Sequence, residues 1–106
     1  MITKKALVKK TIAVMETHGW CRNRNAQDKN GYSTHPTNKH AVSFCAYGAM
    51  IKAGGRNANI KCPIHEVLKE LKVEAGENFI NYNDHTAKRK RDVIGVLKRY
   101  LKRLED

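Results

Sequence analysis

Acidic residues are scarce in this sequence, which has 10 Asp and Glu residues against 21 Lys and Arg residues. The net charge is +11, and residues 30–62 contain no acidic side chain. Such a basic chain favours a polyanionic partner, which can be nucleic acid, an anionic membrane surface or an acidic protein. The 106 residues are enough for one small globular domain, which we expect to span residues 1–106.

Long apolar segments are also missing. No apolar run approaches the length of a transmembrane helix, and the first residues lack the apolar core and cleavage site of a secretory signal. The three cysteines are an odd number and predict no disulfide framework. We therefore expect a reduced, cytoplasmic protein without a membrane partner.

Recognised nucleic-acid and cofactor motifs are absent. The sequence has no zinc-finger spacing, RNP motif, GXXG loop or P-loop, and we expect no cofactor. One H-x-x-C pair, His18 and Cys21, and one C-x-x-H pair, Cys62 and His65, are weak candidates for zinc. The two pairs are separated by about forty residues, so ordinary positions at helix ends are favoured.

The spacing of apolar residues predicts an all-α fold, a compact bundle of about four helices. The predicted helices cover residues 3–18, 38–53, 63–75 and 86–104. A long loop over residues 20–39 separates the first two helices, and its turn signal is compatible with a small hairpin in residues 22–34. A second loop over residues 56–62 and an extended link over residues 78–84 complete the prediction.

The clearest predicted helix is the last one. Val93, Leu97 and Tyr100 recur at helical spacing and predict a buried face. The opposite face is basic, and the first turn begins with the cations Lys88 to Arg91, although a helix N-terminus prefers acidic residues. An anion-binding site and a solvated charge run explain this start equally well.

The predicted nucleic-acid or anion contacts are basic residues of this helix and of the long loop. They are Lys88, Arg89, Lys90, Arg91, Lys98, Lys102, Arg22 and Arg24. Without a base-reading motif, such residues would bind phosphates with weak sequence specificity and strong salt dependence.

Two further sets of residues suit either chemistry or structure. Cys45 is a nucleophile candidate if a histidine, His40 or His85, lies beside it. Its place among small apolar residues of the second predicted helix favours a packing role. Asn83 and Asp84 suit a polar site for a small ligand or, as we favour, a cap and turn that positions the last helix.

Several short motifs occur in a characteristic order. They are Trp20, Ala26 to Gly31, Ala41 to Ala49 with its C-x-x-G-A motif, Asn83-Asp84, and Asp92 to Leu97. This pattern resembles a small family of uncharacterised proteins from bacteria and their phages, a domain of unknown function. The resemblance covers most of residues 6–104 and implies no established reaction.

The resemblance implies that a Thr-x-x-Asp/Glu-Val capping box opens the last helix. In this chain the corresponding stretch reads Lys90-Arg91-Asp92-Val93, so the cap hydroxyl is missing and cations are added. The positive charge at the helix start is therefore a feature of this chain, which the resemblance does not explain.

We expect a non-enzymatic basic protein that binds nucleic acid or a nucleoprotein complex through a basic helix face. The small size and the resemblance also fit a phage-encoded inhibitor of a host defence or replication machine, which would act in the host cytoplasm. One alternative is an interaction module for an acidic partner protein. Another is a small-ligand or enzymatic domain that uses the 20–39 loop and the Asn83-Asp84 corner.

Overall fold

The computed structural model describes residues 2–54 and 62–105, and shows a mostly helical chain with one small sheet. The helices are α1 (Lys4–Thr17), α2 (Ala46–Gly54), α3 (Ile64–Ala75), the short α4 (Phe79–Asn81) and α5 (Lys90–Glu105). A π-helical turn, Tyr82–Thr86, follows α4. The strands are β1 (Gly19–Trp20), β2 (Ala26–Gln27) and β3 (Ser43–Phe44). The predicted loop 56–62 lies outside the described residues, except for Cys62.

The small sheet corrects the all-α prediction. β3 is its middle strand, with β1 parallel on one side and β2 antiparallel on the other. Trp20 and Ala26 both pair with Phe44, which is fully buried. The second helix was predicted over residues 38–53 but begins only at Ala46. The apolar residues before it form a buried strand, and a short apolar run fits a buried strand as well as a helix.

The other long predicted helices are confirmed. The predictions over residues 3–18 and 63–75 correspond to α1 and α3 to within one residue at each end. The prediction over residues 86–104 corresponds to α5, which begins four residues later because the π turn occupies residues 82–86. None of the described helices is both long and apolar enough to cross a membrane.

A small hairpin follows β2, as the turn signal suggested. Gln27 bridges to Ser33 in antiparallel register. Inside the turn, Asp28 Oδ1 accepts hydrogen bonds from Asn30 N at 2.9 Å and from Tyr32 N at 3.0 Å. The hairpin is therefore held by its own backbone and by one carboxylate.

α1 is the helix around which the others pack. Thr3 is its N-cap, since its Oγ1 accepts a hydrogen bond from Ala6 N at 3.1 Å. Leu7 and Val8 are fully buried where α2 and α5 pack against α1. The burial of this apolar face drives the packing of the three helices.

α1 and α5 run antiparallel. Lys5 near the start of α1 pairs with Glu105 at the end of α5, at 3.4 Å. Glu16 near the end of α1 pairs with Lys98, also at 3.4 Å. The start of α5 therefore lies beside the end of α1, next to β1.

Two acidic residues of α3, Glu70 and Glu74, contact its neighbouring helices. Glu70 Oε1 accepts a hydrogen bond from Tyr100 Oη at 2.6 Å, and Glu70 Oε2 accepts one from Lys4 Nζ at 2.7 Å. Glu74 pairs with Arg103, and only 8% of the Glu74 side chain is exposed. These contacts join α3 to α1 and α5 and use negative charge inside the fold.

The link before α5 is helical, which corrects the predicted extended segment over residues 78–84. Asn78 caps α4, because its Oδ1 accepts a hydrogen bond from Asn81 N at 3.1 Å. The π turn then closes with Ala87 N donating to Tyr82 O at 2.8 Å. Phe79 is buried, as expected for an anchor of this segment.

Candidate nucleic-acid interface

Asn83 joins its own segment to two distant parts of the chain, and only 1% of it is exposed. Its Oδ1 accepts hydrogen bonds from Trp20 Nε1 at 2.8 Å and from Ala46 N at 3.1 Å. Its Nδ2 donates to Cys21 O at 3.3 Å and to Asp84 Oδ1 at 2.9 Å. Oδ1 and Nδ2 are thus both used within the protein, which gives Asn83 a structural role.

The helix that Asn83 caps is α2 and not the last helix. Ala46 N is the first backbone donor of α2 and bonds to Asn83 Oδ1. A second donor of that first turn, Gly48 N, bonds to Cys45 Sγ at 3.3 Å. Free donors at a helix start require such acceptors, and here one of them comes from a residue 37 positions away.

Arg22 connects the loop after β1 to the start of α5. Its guanidinium lies over the Trp20 ring, with Cζ 4.7 Å from the ring centroid. The same guanidinium donates a hydrogen bond to Ala87 O. Ala87 directly precedes Lys88, so the fold brings Arg22 next to the basic start of α5.

Asp92 provides an internal carboxylate at the start of α5. Its Oδ2 accepts hydrogen bonds from Lys88 N and Arg89 N, both at 3.1 Å. The Arg89 guanidinium lies 3.8 Å from Asp92 Oδ1. This is the acidic half of a capping box, formed without the cap hydroxyl. The helix start is therefore already occupied by an anionic group of the protein.

Lys90 has a structural contact in this arrangement. Its Nζ donates to His18 O at 2.9 Å, where His18 is the C-cap residue of α1. A cation beside the C-terminal carbonyls of a helix is favourable, because they carry partial negative charge. Lys90 thus ties the start of α5 to the end of α1.

The remaining predicted cations, on α5 and just before it, are more open. Lys88 and Arg91 are exposed, and neither forms an ion pair within residues 2–54 and 62–105. Lys98 and Lys102 continue from Arg91 at i+7 and i+11, which places the three on one side of the helix. The Lys98 pair with Glu16 is exposed on both sides and contributes little to stability.

The eight predicted contacts therefore divide by role. Lys88, two residues before α5, and Arg91 in its first turn are exposed, and Arg22 contacts Ala87 directly before Lys88. Arg89 and Lys90 are engaged by Asp92 and His18, as described above. Arg24 lies farther along the loop, where its Nη1 donates to Gly31 O at 3.0 Å.

One protein-family model, that of DUF6197, matches residues 1–103 of this chain. The chain belongs to DUF6197, a family of unknown function. No curated protein and no solved structure matches it. The resemblance to a domain of unknown function is confirmed, and the family assignment carries no activity with it.

In this DUF6197 chain three of the five pieces of the sequence pattern meet at Asn83. Trp20 and the start of α2 both donate to its side chain. Gly48 is needed there because a Cβ atom would lie 1.8 Å from Asn25 O, so the loop backbone packs directly on α2. We name Trp20, Asn25, Gly48 and Asn83 the brace. The sequence pattern of this chain thus describes how its fold is held together.

The sequence had suggested that Cys45 lies within a helix. In the structure, Cys45 directly precedes α2. Burial raises the pKa of the Cys45 thiol despite the hydrogen bond from Gly48 N. Burial and the neighbouring Cys45 raise the pKa of Cys21 to about 11. Both thiols are protonated at neutral pH, which suits packing and not nucleophilic attack.

The four metal-ligand candidates have other surroundings. His18 packs edge-on against Phe44 with ring centroids 5.3 Å apart, and Cys21 Sγ donates to Arg24 O at 3.5 Å. Within residues 2–54 and 62–105, no three His, Cys, Asp or Glu side chains are grouped as a metal ion requires. Cys62 and His65 belong to this same described part.

Two open clefts lie elsewhere on the DUF6197 fold. One, of about 260 Å³, is lined by Asp28, Lys29, Asn30, Lys39, His40 and Val42. The other, of about 300 Å³, lies between α3 and α4 and is lined by His65, Leu68, Lys69, Lys72, Asn78, Phe79 and Ile80. Neither is lined by Asn83 or Asp84, so the long loop and the Asn83-Asp84 corner share neither cleft. Lys39 was not predicted as a contact residue, because the fold and not the sequence brings it to the same cleft as Lys29.

Proposed function

We propose that this protein binds nucleic acid, free or within a nucleoprotein complex, through a basic surface at the start of α5. We name Lys88, Arg91 and Arg22 the basic corner. The observation that carries the proposal is the hydrogen bond from Arg22 to Ala87 O, which brings a loop guanidinium to the residue directly before the exposed Lys88. Clustered cations of this kind are the usual electrostatic footprint of a protein that binds phosphates.

The distribution of acidic groups supports the proposal. Glu70 and Glu74 are engaged between helices, and Asp92 caps α5. Three of the ten acidic residues are therefore engaged in contacts within the protein, and the net charge of the chain is +11. A surface of this sign attracts polyanions over about 10 Å at moderate ionic strength.

Arg22 keeps binding capacity after its contact with Ala87. A guanidinium has five N–H donors in a planar arrangement, and the carbonyl takes only some of them. Stacking on Trp20 holds the group in place. A preorganised guanidinium loses less conformational entropy when it binds a phosphate than a free side chain does.

The basic surface extends along α5. Lys98 and Lys102 lie on the same side as Arg91, and the three span about 16 Å at 1.5 Å per residue. Such a row can contact successive phosphates without entering a groove. We therefore expect weak sequence specificity and a strong dependence on salt. A phage-encoded inhibitor that acts on a host defence or replication complex is one setting in which this surface would operate.

A pull-down from lysate, with and without nuclease, tests the class of partner. The account predicts that nucleic acid is recovered, and that co-purifying proteins are lost after nuclease treatment. The variant Lys88→Gln/Arg91→Gln should recover much less, whereas Lys69→Gln/Lys72→Gln removes the same charge from the α3–α4 cleft and should behave as wild type. Proteins that persist after nuclease would instead indicate an acidic protein partner, and recovery of neither would contradict the proposal.

A further inference from the structure

Tyr32 presents an aromatic ring to solvent from the hairpin after β2. It is 71% exposed, which is unusual for a large side chain with an apolar body. We propose that the hairpin and its adjoining cleft bind single-stranded nucleic acid, with a base stacked on Tyr32 and phosphates held by Lys29 and Lys39. This inference rests on the function proposed above and names the class of nucleic acid.

The hairpin holds Tyr32 in a defined position. Asp28 Oδ1 accepts hydrogen bonds from Asn30 N and Tyr32 N, and Asp28 N donates to Tyr32 O at 2.9 Å. Gly31 supplies the left-handed backbone that the turn requires, with φ of 85°. Arg24 donates to Gly31 O at 3.0 Å and fixes the turn from outside. An exposed ring on a fixed turn is prepared for stacking.

The cleft beside the hairpin has the charge that a phosphate needs. Lys29, Lys39 and His40 line it, together with the amide of Asn30. Neither lysine forms an ion pair with any residue in 2–54 or 62–105. The carboxylate that also lines the cleft, Asp28, directs one oxygen to the two backbone donors of the turn.

The hairpin is connected to the basic corner through the loop after β1. Arg24 contacts the hairpin at Gly31, and Arg22, two residues earlier, contacts Ala87 beside Lys88. Two residues of chain span at most about 7 Å, so the backbones of Arg22 and Arg24 lie within that distance of each other. Cations that lead to an exposed aromatic ring are the arrangement that binds single strands, because only an unpaired base offers its face for stacking.

The test compares a fluorescein-labelled oligothymidine of about 12 nucleotides with a duplex of equal length, by fluorescence anisotropy at about 50 mM salt. Tyr32→Ala should weaken single-strand binding by about 5- to 100-fold and duplex binding by less than about twofold. Tyr32→Phe keeps the ring and should restore single-strand binding. Val73 on α3 is exposed to a similar extent, 72%. Val73→Ala should change neither single-strand nor duplex binding.

The outcomes separate this inference from the proposed function. If Tyr32→Ala leaves single-strand binding unchanged, or weakens both ligands equally, the single-strand inference is wrong while nucleic-acid binding stands. If wild type binds neither ligand, the proposed function and this inference both fail. Unchanged thermal unfolding of each variant shows that differences in binding do not come from misfolding.

Discussion

Asn83 shows how one buried side chain can organise several elements at once. Its amide bonds to β1 through Trp20, to the following loop through Cys21 O, and to α2 through Ala46 N. A buried amide that lost these partners would keep its desolvation cost, so the contacts act together. The sequence identified Asn83 as a capping acceptor but assigned it to the following helix. A partner 37 residues away in sequence is recognisable only once the chain is folded.

Replacing Asn83 tests this role directly. We expect Asn83→Ala to lower the free energy of unfolding by about 2–4 kcal/mol, because several buried donors and acceptors lose their partner together. Urea unfolding followed by circular dichroism measures the change. Asn81→Ala, an exposed amide two residues earlier, should cost less than about 1 kcal/mol. Equal effects of the two substitutions would show that Asn83 is not a brace residue.

Two glycines in helices should respond to alanine with opposite signs. At Gly48 a Cβ atom would lie 1.8 Å from Asn25 O, a backbone atom that cannot turn aside, so Gly48→Ala should destabilise by about 1–3 kcal/mol. At Gly95 the nearest atom is 3.5 Å away and belongs to the flexible Arg99 side chain. Gly95→Ala should therefore stabilise by up to about 1 kcal/mol through helix propensity. Thermal melts that show the same sign for both would contradict the packing described here.

At the scale of elements, the sequence predicts those helices whose apolar residues recur with a clear helical period. α1, α3 and α5 each bury one stripe of apolar residues, and that period identified them. β3 does not have such a signal, because Phe44 lies in the middle strand and the residues around it are small and apolar. α4 and the π turn were not predicted for a related reason, since each is too short to show a period of apolar residues. Both features depend on contacts that are distant in sequence.

Replacing Asp92 tests how the unusual start of α5 is stabilised. Asp92→Ala leaves Lys88 N and Arg89 N without their acceptor, and should lower the free energy of unfolding by about 1 kcal/mol. Added phosphate should then stabilise the variant more than the wild type, because the vacated helix start becomes an anion site. Glu16→Ala removes an exposed carboxylate and should cost less than about 0.5 kcal/mol. A variant with wild-type stability and no response to phosphate would show that Asp92 does not cap α5.

The contacts between α3 and its neighbours predict a dependence on pH. The hydrogen bond from Lys4, followed by that from Tyr100, lowers the pKa of Glu70 below its ordinary 4.5, and Arg103 does the same for Glu74. Carboxylates with a lowered pKa in the folded state stabilise it above pH 4.5 and lose that effect as the pH falls through the lowered values. Glu70→Gln/Glu74→Gln should therefore be less stable than wild type at pH 7 and converge with it in acid. If the stability of the two proteins changed with pH in the same way across this range, the lowered pKa values of Glu70 and Glu74 would be contradicted.

At the scale of the whole molecule, charge is sorted by place. Glu70 and Glu74 join α3 to α1 and α5 and Asp92 caps α5, whereas exposed cations lie at the basic corner and beside the hairpin. The sequence predicted the cations of α5 and the loop, because charge is readable without a fold. It did not predict that Arg89 and Lys90 are engaged by Asp92 and His18. It also did not predict that Lys39 and Lys29 line the same cleft. All of these contacts arise from packing.

The salt dependence of nucleic-acid binding tests the central claim most directly. For wild type, the logarithm of the association constant for a duplex should fall steeply and linearly with the logarithm of salt concentration. Lys88→Gln/Arg91→Gln should reduce the steepness of that line by about 1.8, at about 0.9 per lost phosphate contact. Lys69→Gln/Lys72→Gln, with the same change in net charge, should leave the slope unchanged. Equal slopes for the two double variants, or no binding of either a duplex or a single strand at about 50 mM salt, would contradict a nucleic-acid interface at the start of α5.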